Sequence, residues 1–95
     1  MKKSILIIAI IEKILTLLTS VQEDNWAKSF MKFREQFDSI DEVKLADART
    51  DILKIYGGMG SFNDLVLYDQ GQPMIEENTT LDALRRELFT ILSER

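Results

Sequence analysis

The residues with chemistry-bearing potential concentrate in one short stretch, Gly57-Gly58-Met59-Gly60-Ser61-Phe62-Asn63-Asp64, which holds three of the chain's four glycines. Glycine clusters where backbone must adopt a left-handed conformation or approach another group closely. Successive backbone N–H groups in such a turn can cradle an anion, so a phosphate-binding loop is the first chemistry to weigh. The P-loop spacing, its following lysine and its preceding strand are all missing, since a helical pattern comes before these glycines. Ser61 as a nucleophile lacks a histidine to activate it, and Lys54 is only a sequence neighbour. The turn is expected to be structural, holding a following hairpin against helices.

A second constellation is Lys44, Asp47, Asp51 and Lys54, with its two carboxylates one helical turn apart between two ammonium groups. Two carboxylates without a third ligand or a substrate phosphate make a poor Mg²⁺ site, so a solvated, salt-bridged helix face is the expected reading. The chain has no His and no Cys. That removes the commonest general base, thiolate nucleophiles, the usual transition-metal ligands and disulfides. Carboxylates, lysines, hydroxyls and backbone dipoles remain, and neither a catalytic residue, a metal site nor a cofactor is expected from them.

The elements that must position these residues follow from periodicity. With 95 residues, 45% of them hydrophobic, the chain reads as one globular domain, residues 1–95, of limited stability unless a homodimer extends its core. Lys2-Lys3 and the apolar run Ile5 to Ile11 imitate a signal peptide, but Glu12-Lys13 interrupts the run and no cleavage site follows. Residues 1–18 are therefore expected to be retained as a buried helix, with Ala9, Glu12, Thr16 and Ser20 forming a narrow weakly polar stripe.

Asp24 or Asn25 is expected to cap a second helix, whose face Trp26, Phe30, Phe33 and Phe37 belongs to the core. A base-stacking platform is the alternative for those rings, but it lacks the basic surface it would need. Ser39 or Asp41 is expected to cap a third helix running to about Tyr56, with Leu45, Ala48, Ile52 and Ile55 inward and a left-handed cap at Gly57. Ser61 is expected to cap a single helical turn, answered by Asp64. Leu65 to Tyr68, the turn Asp69-Gln70-Gly71-Gln72 and Pro73-Met74-Ile75 read as a small hairpin, with Leu65 and Leu67 facing the helix beneath it. Asn78-Thr79-Thr80 announces the last helix, with Leu81, Leu84, Leu88, Ile91 and Leu92 inward and Asp82 paired with Arg86 outside. The fold class that results is α+β, mostly α: four helices packed as a small bundle with a short β-hairpin between helices 3 and 4.

The stretch Gly57 to Leu65, GGMGSFNDL, resembles a family of small bacterial domains of unknown function that share this core, followed by a strand, a polar turn and a leucine-spaced last helix. Some such domains are similar in size and charge to toxin-immunity proteins. The resemblance implies a small standalone protein and establishes no chemistry.

The net charge of −4 argues against nucleic-acid or anionic-membrane binding, because both need a basic footprint. A basic protein partner suits it better, and the expected function is a non-enzymatic, cytoplasmic protein-binding module, in its most concrete form an immunity-type inhibitor. Its surface would comprise Gly58, Met59, Gly60, Ser61, Phe62, Asn63, Asp64, Tyr68 and Asp69. Phe62 or Tyr68 would be the anchor and Asp64 or Asp69 the steering charge. The alternative is a small-molecule or nucleotide-sensing module built on the Gly57 to Asp64 turn.

Overall fold

Four helices carry the chain: α1 (Lys2–Ser20), α2 (Asp24–Phe37), α3 (Glu42–Lys54) and α4 (Ile75–Ser93). A 3-10 turn (Phe62–Asp64) and an antiparallel pair, β1 (Tyr68–Asp69) and β2 (Gln72–Pro73), lie between α3 and α4. This computed structural model describes residues 2–57 and 60–94. The fold is α+β and mostly α, as the sequence pattern predicts. α1 packs against both α2 and α4, and α3 is held chiefly by α2.

The apolar run makes α1 the central helix: Ile7, Ile10, Ile11, Ile14 and Leu18 are buried, and Ala9, Glu12, Thr16 and Ser20 face outward. The exposed face is wider than the expected narrow stripe, since Ile5, Leu6, Lys13 and Thr19 are exposed as well. Its end is closed without glycine. Gln22 takes φ 60°, and Glu23 N–H donates to the Leu18 carbonyl (2.9 Å) while Gln22 N–H donates to that of Thr19 (3.1 Å). This is the paired 6→1 and 5→2 closure that usually recruits glycine. The chain reverses at once into α2, whose N-cap is Glu23 with no side-chain bond, so neither Asp24 nor Asn25 caps it. Gln22 has already turned the chain, and Asp24 is drawn into the first helical turn, where a carboxylate favours the positive end of the dipole.

Phe30, Phe33 and Phe37 are buried, and Trp26 is half-buried at the edge of the same face. Asp41 caps α3, its carboxylate accepting from Val43 N–H (2.9 Å) and Lys44 N–H (3.4 Å). Ala48 and Ile52 point inward. α3 ends at Lys54 with Ile55 as C-cap in right-handed conformation, and Gly57 is not in the left-handed region. The expected left-handed cap at Gly57 is thus replaced by a right-handed ending, and the left-handed glycine of this loop is Gly60, at φ 71°.

The hairpin is shorter than expected. Gln70 (φ 51°) and Gly71 (φ 80°) form a two-residue turn with both residues left-handed, the twist that suits antiparallel strands. Tyr68 lies opposite Pro73 and Asp69 opposite Gln72. Ile75 begins α4 instead of ending the second strand, so the helix starts three residues before the expected Asn78 cap. Leu81, Leu84, Leu88 and Leu92 are buried along it.

Candidate functional site

The 3-10 turn is built around Phe62, which is 0% exposed. Its ring lies 4.8 Å from that of Phe30, 5.3 Å from Trp26 and 5.8 Å, edge-on, from Tyr56. Its N–H donates to the Ile55 carbonyl at 2.9 Å. Phe62 is therefore the hub joining the end of α3 to the aromatic face of α2. It has no surface to offer a partner, so the expected anchor role does not fall to it.

Two polar side chains of α4 hold the loop in place. The Asn78 amide grips Leu67 from both sides: Oδ1 accepts from Leu67 N–H (2.8 Å) and Nδ2 donates to the Leu67 carbonyl (3.0 Å). One turn-pair further along, the Arg85 guanidinium donates to the carbonyls of Phe62 (2.9 Å) and Leu65 (3.0 Å) and is itself held by Asp82. Asp82 thus pairs with Arg85, not with Arg86, because Arg85 is drawn inward by two carbonyls that need a donor. The Tyr56 hydroxyl donates to the Arg85 carbonyl at 2.8 Å, and burial pushes its phenol above the ordinary range, the Arg85 charge acting in the opposite direction.

Asn78 and Arg85 were invisible as clamps because Asn78 reads as a helix cap and Arg85 as surface charge. A signal existed. Positions 78, 81, 85, 88 and 92 make a 3-4 stripe through Leu81, Leu88 and Leu92, so both polar residues lie on the buried face of α4.

The sequence-predicted site divides accordingly. Gly58 and Met59 lie outside the described residues. Gly60 is exposed, and its N–H donates to the Asp64 carboxylate at 3.0 Å. Asp64 therefore reaches back to Gly60, one residue beyond the expected capping-box partner, and Ser61 makes no side-chain cap bond. The Ser61 Oγ is buried without a hydrogen-bond partner among the described residues. Asn63 turns to the other side, where Nδ2 donates to the Tyr56 carbonyl (3.1 Å) in a concavity shared with Arg86 and Phe89.

What the fold does bring together is a groove of about 340 Å³ bounded by Trp26, Gly60, Ser61, Asp64, Val66 and Tyr68. Tyr68 is 59% and Val66 44% exposed. Among the described residues, Asp64 is the one charged residue lining the groove. Asp69, exposed, follows Tyr68 on β1. Trp26 is the contributor the sequence reading assigned wholly to the core.

A larger concavity, about 660 Å³, lies between α1 and α4 and shares no residue with this groove. Its rim charges are Glu12 and Lys13, and Glu12 is engaged by Arg34 at 2.9 Å. The Lys44, Asp47, Asp51 and Lys54 face is not salt-bridged: among the described residues the ion pairs are Arg34–Glu12 and Arg85–Asp82, and Asp51 accepts from Gln36 instead (3.3 Å). Among the described residues no group of three or more carboxylates gathers as a metal site would require. No described helix is long and apolar enough to cross a membrane.

Fold and groove together define a small helical domain that displays a clamped, hairpin-bearing loop. The chain belongs to the family described as domain of unknown function DUF6966, whose model matches residues 19–75. That span takes in α2, α3, the glycine turn and the hairpin, and stops where α4 begins. No curated protein matches the chain, and no solved structure does.

Proposed function

We propose that this chain is a non-enzymatic binding module that takes a basic protein partner on the groove between Trp26 and β1. The observation that carries the reading is the exposure of Tyr68 and Val66 beside Trp26 around a groove whose lining charge is the Asp64 carboxylate. Tryptophan and tyrosine are enriched in binding hot spots, and a chain of net charge −4 steers cations toward them. An immunity-type inhibitor of a basic toxin or effector, acting in the cytoplasm, is the concrete form of this function.

The glycine turn supports the alternative of a nucleotide sensor less well. The Gly60 N–H that an anion would need is already given to Asp64, whose own charge repels a phosphate. Turnover by this chain is not part of the proposal: without His or Cys, and with the Ser61 hydroxyl enclosed, no nucleophile has an activator.

The test is a comparison of wild type with Asp64→Lys, Asp69→Lys and Tyr68→Ala in affinity capture and in association kinetics at rising salt. A partner of basic pI is expected, with the two charge reversals lowering the on-rate and Tyr68→Ala raising the off-rate. An acidic partner, or one indifferent to all these substitutions, removes this surface.

A further inference from the structure

The backbone of the same loop specifies how a partner engages it. Leu67 directs its N–H and carbonyl toward α4, where Asn78 engages both and the Met74 N–H, at the N-cap of that helix, also donates to the carbonyl (2.9 Å). In extended chain the polar groups of alternate residues point to opposite edges, so Val66 and Tyr68 turn theirs the other way. Val66 N–H and carbonyl have no hydrogen-bond partner among the described residues. Tyr68 lies opposite Pro73 in the non-hydrogen-bonded pair between Asp69/Gln72 and Leu67/Met74, the position at which a strand's polar groups point away from its partner. Both Val66 and Tyr68 line the groove.

The two edges of the hairpin are treated differently. Pro73 removes a donor from the outer edge of β2, a common way to prevent strand pairing there. The segment Leu65-Val66-Leu67-Tyr68 carries no proline or lysine that would blunt the edge of β1.

We propose that the partner binds by strand addition: an extended segment bearing lysine or arginine pairs with the Val66–Tyr68 edge, and its alternate side chains enter the groove beside Trp26. This deepens the protein-binding reading above and rests on it. Charge selects the occupant. A second copy pairing through the same edge would bring the acidic edges, Asp64 and Asp69 of each, together between two chains of net charge −4, whereas a cationic segment is drawn to them.

The probe is an acetylated and amidated short peptide of alternating lysine and valine, with two further versions N-methylated either at all its lysine amides or at all its valine amides. Strand addition directs only one of these two sets at the protein. One methylated version is expected to bind about tenfold or more weakly, because it loses more than one hydrogen bond, while the other stays close to the parent. Amide exchange at Val66 and Tyr68 should slow in the complex. Val66→Pro, which removes an N–H that has no partner among the described residues, should weaken binding more than Val66→Ala, with thermal melting confirming that both fold.

Equal binding by the two methylated peptides, or unprotected Val66 and Tyr68 amides in the complex, overturns strand addition. If that binding is still lost in Asp64→Lys and Tyr68→Ala, the surface reading survives alone. If the parent peptide binds and neither substitution weakens it, the surface reading falls as well. Failure of the parent peptide to bind at millimolar concentration overturns the strand-addition proposal, as does edge-to-edge dimerisation of the protein in preference to peptide binding.

Discussion

Replacing Asn78 by alanine removes both hydrogen bonds that hold Leu67, and the structure allows its cost to be worked out. Each bond contributes about 0.5–1.5 kcal/mol net, so the pair is worth roughly 1–3 kcal/mol. The Leu67 carbonyl keeps its bond from Met74 N–H, but the Leu67 N–H is left without a partner in a residue only 3% exposed. That places the cost in the upper half of the range. Alanine recovers roughly 0.5 kcal/mol as the better helix former at an interior position of α4. The expected destabilisation is about 2 kcal/mol, which for a domain of this size lowers the melting temperature by roughly 10 °C.

The assay is thermal and urea denaturation together with hydrogen exchange at Leu67. If Asn78 is the clamp, exchange at Leu67 accelerates more than at amides in the interior of α1, because the loop opens before the bundle does. A variant melting within roughly 2 °C of wild type, with Leu67 exchange unchanged, would refute the reasoning.

Phe62→Ala should cost about 3–5 kcal/mol and alter the fluorescence of Trp26, the chain's single tryptophan, whose ring lies 5.3 Å away. Wild-type stability with unchanged fluorescence would show that the ring is not the hub. Gly60→Val should destabilise by about 1 kcal/mol or more from backbone strain alone, since a Cβ there meets nothing within 4 Å. Gly57→Val should be close to neutral in the same urea titration, since Gly57 is not left-handed and its Cβ would also meet open space. For Tyr56 the sign runs downward with pH. Its folded phenol is harder to ionise than the unfolded one at 10.0, so its contribution is intact below pH 10.0 and lost as pH rises beyond it. Stability of wild type relative to Tyr56→Phe should fall by up to about 1.4 kcal/mol per pH unit in that range, and parallel profiles would exclude the effect.

Helix content and the inward faces were legible in the sequence because they rest on periodicity. The isoleucines of α1, the phenylalanines of α2 and the leucines of α4 repeat at helical spacing, and burial follows the repeat. The joints were less legible, because each was decided by a tertiary partner. Gln22 adopts a glycine-like conformation where α1 must reverse into α2, and no residue type announces it. Gly57 looks like a cap by composition, yet Phe62 N–H takes the Ile55 carbonyl and carries the chain onward without a left-handed step there. Asn78 has the composition of a cap but the position of a core residue, and the carbonyl and N–H of Leu67 decide between them. At the candidate site, Tyr68 and Asp64 were legible from exposure-prone residue types, whereas Phe62 was misplaced because an aromatic beside glycines looks the same whether it is a hub or an anchor.

The division of labour between α4 and the loop bears on how binding and stability are separated in this protein. The groove is formed by residues within the matched span 19–75, but the clamps that fix its backbone, Asn78 and Arg85, lie beyond it on α4. They act on carbonyls and an N–H of the loop, not on its side chains, so they set the loop's shape while leaving Asp64, Val66 and Tyr68 free to vary in identity. The same clamps account for the open edge. By taking the polar groups of Leu67, α4 anchors the strand from behind, and among the described residues the backbone N–H and carbonyl of Val66 are left without a partner. A loop held only by its own hairpin, with two residues in each strand, would be too weakly ordered to present that edge in one conformation. The two-sided amide of Asn78 and the guanidinium of Arg85, on an otherwise apolar helix face, supply that order by fixing the loop backbone at Phe62, Leu65 and Leu67. Under the strand-addition proposal this rigidity would lower the entropy cost of pairing.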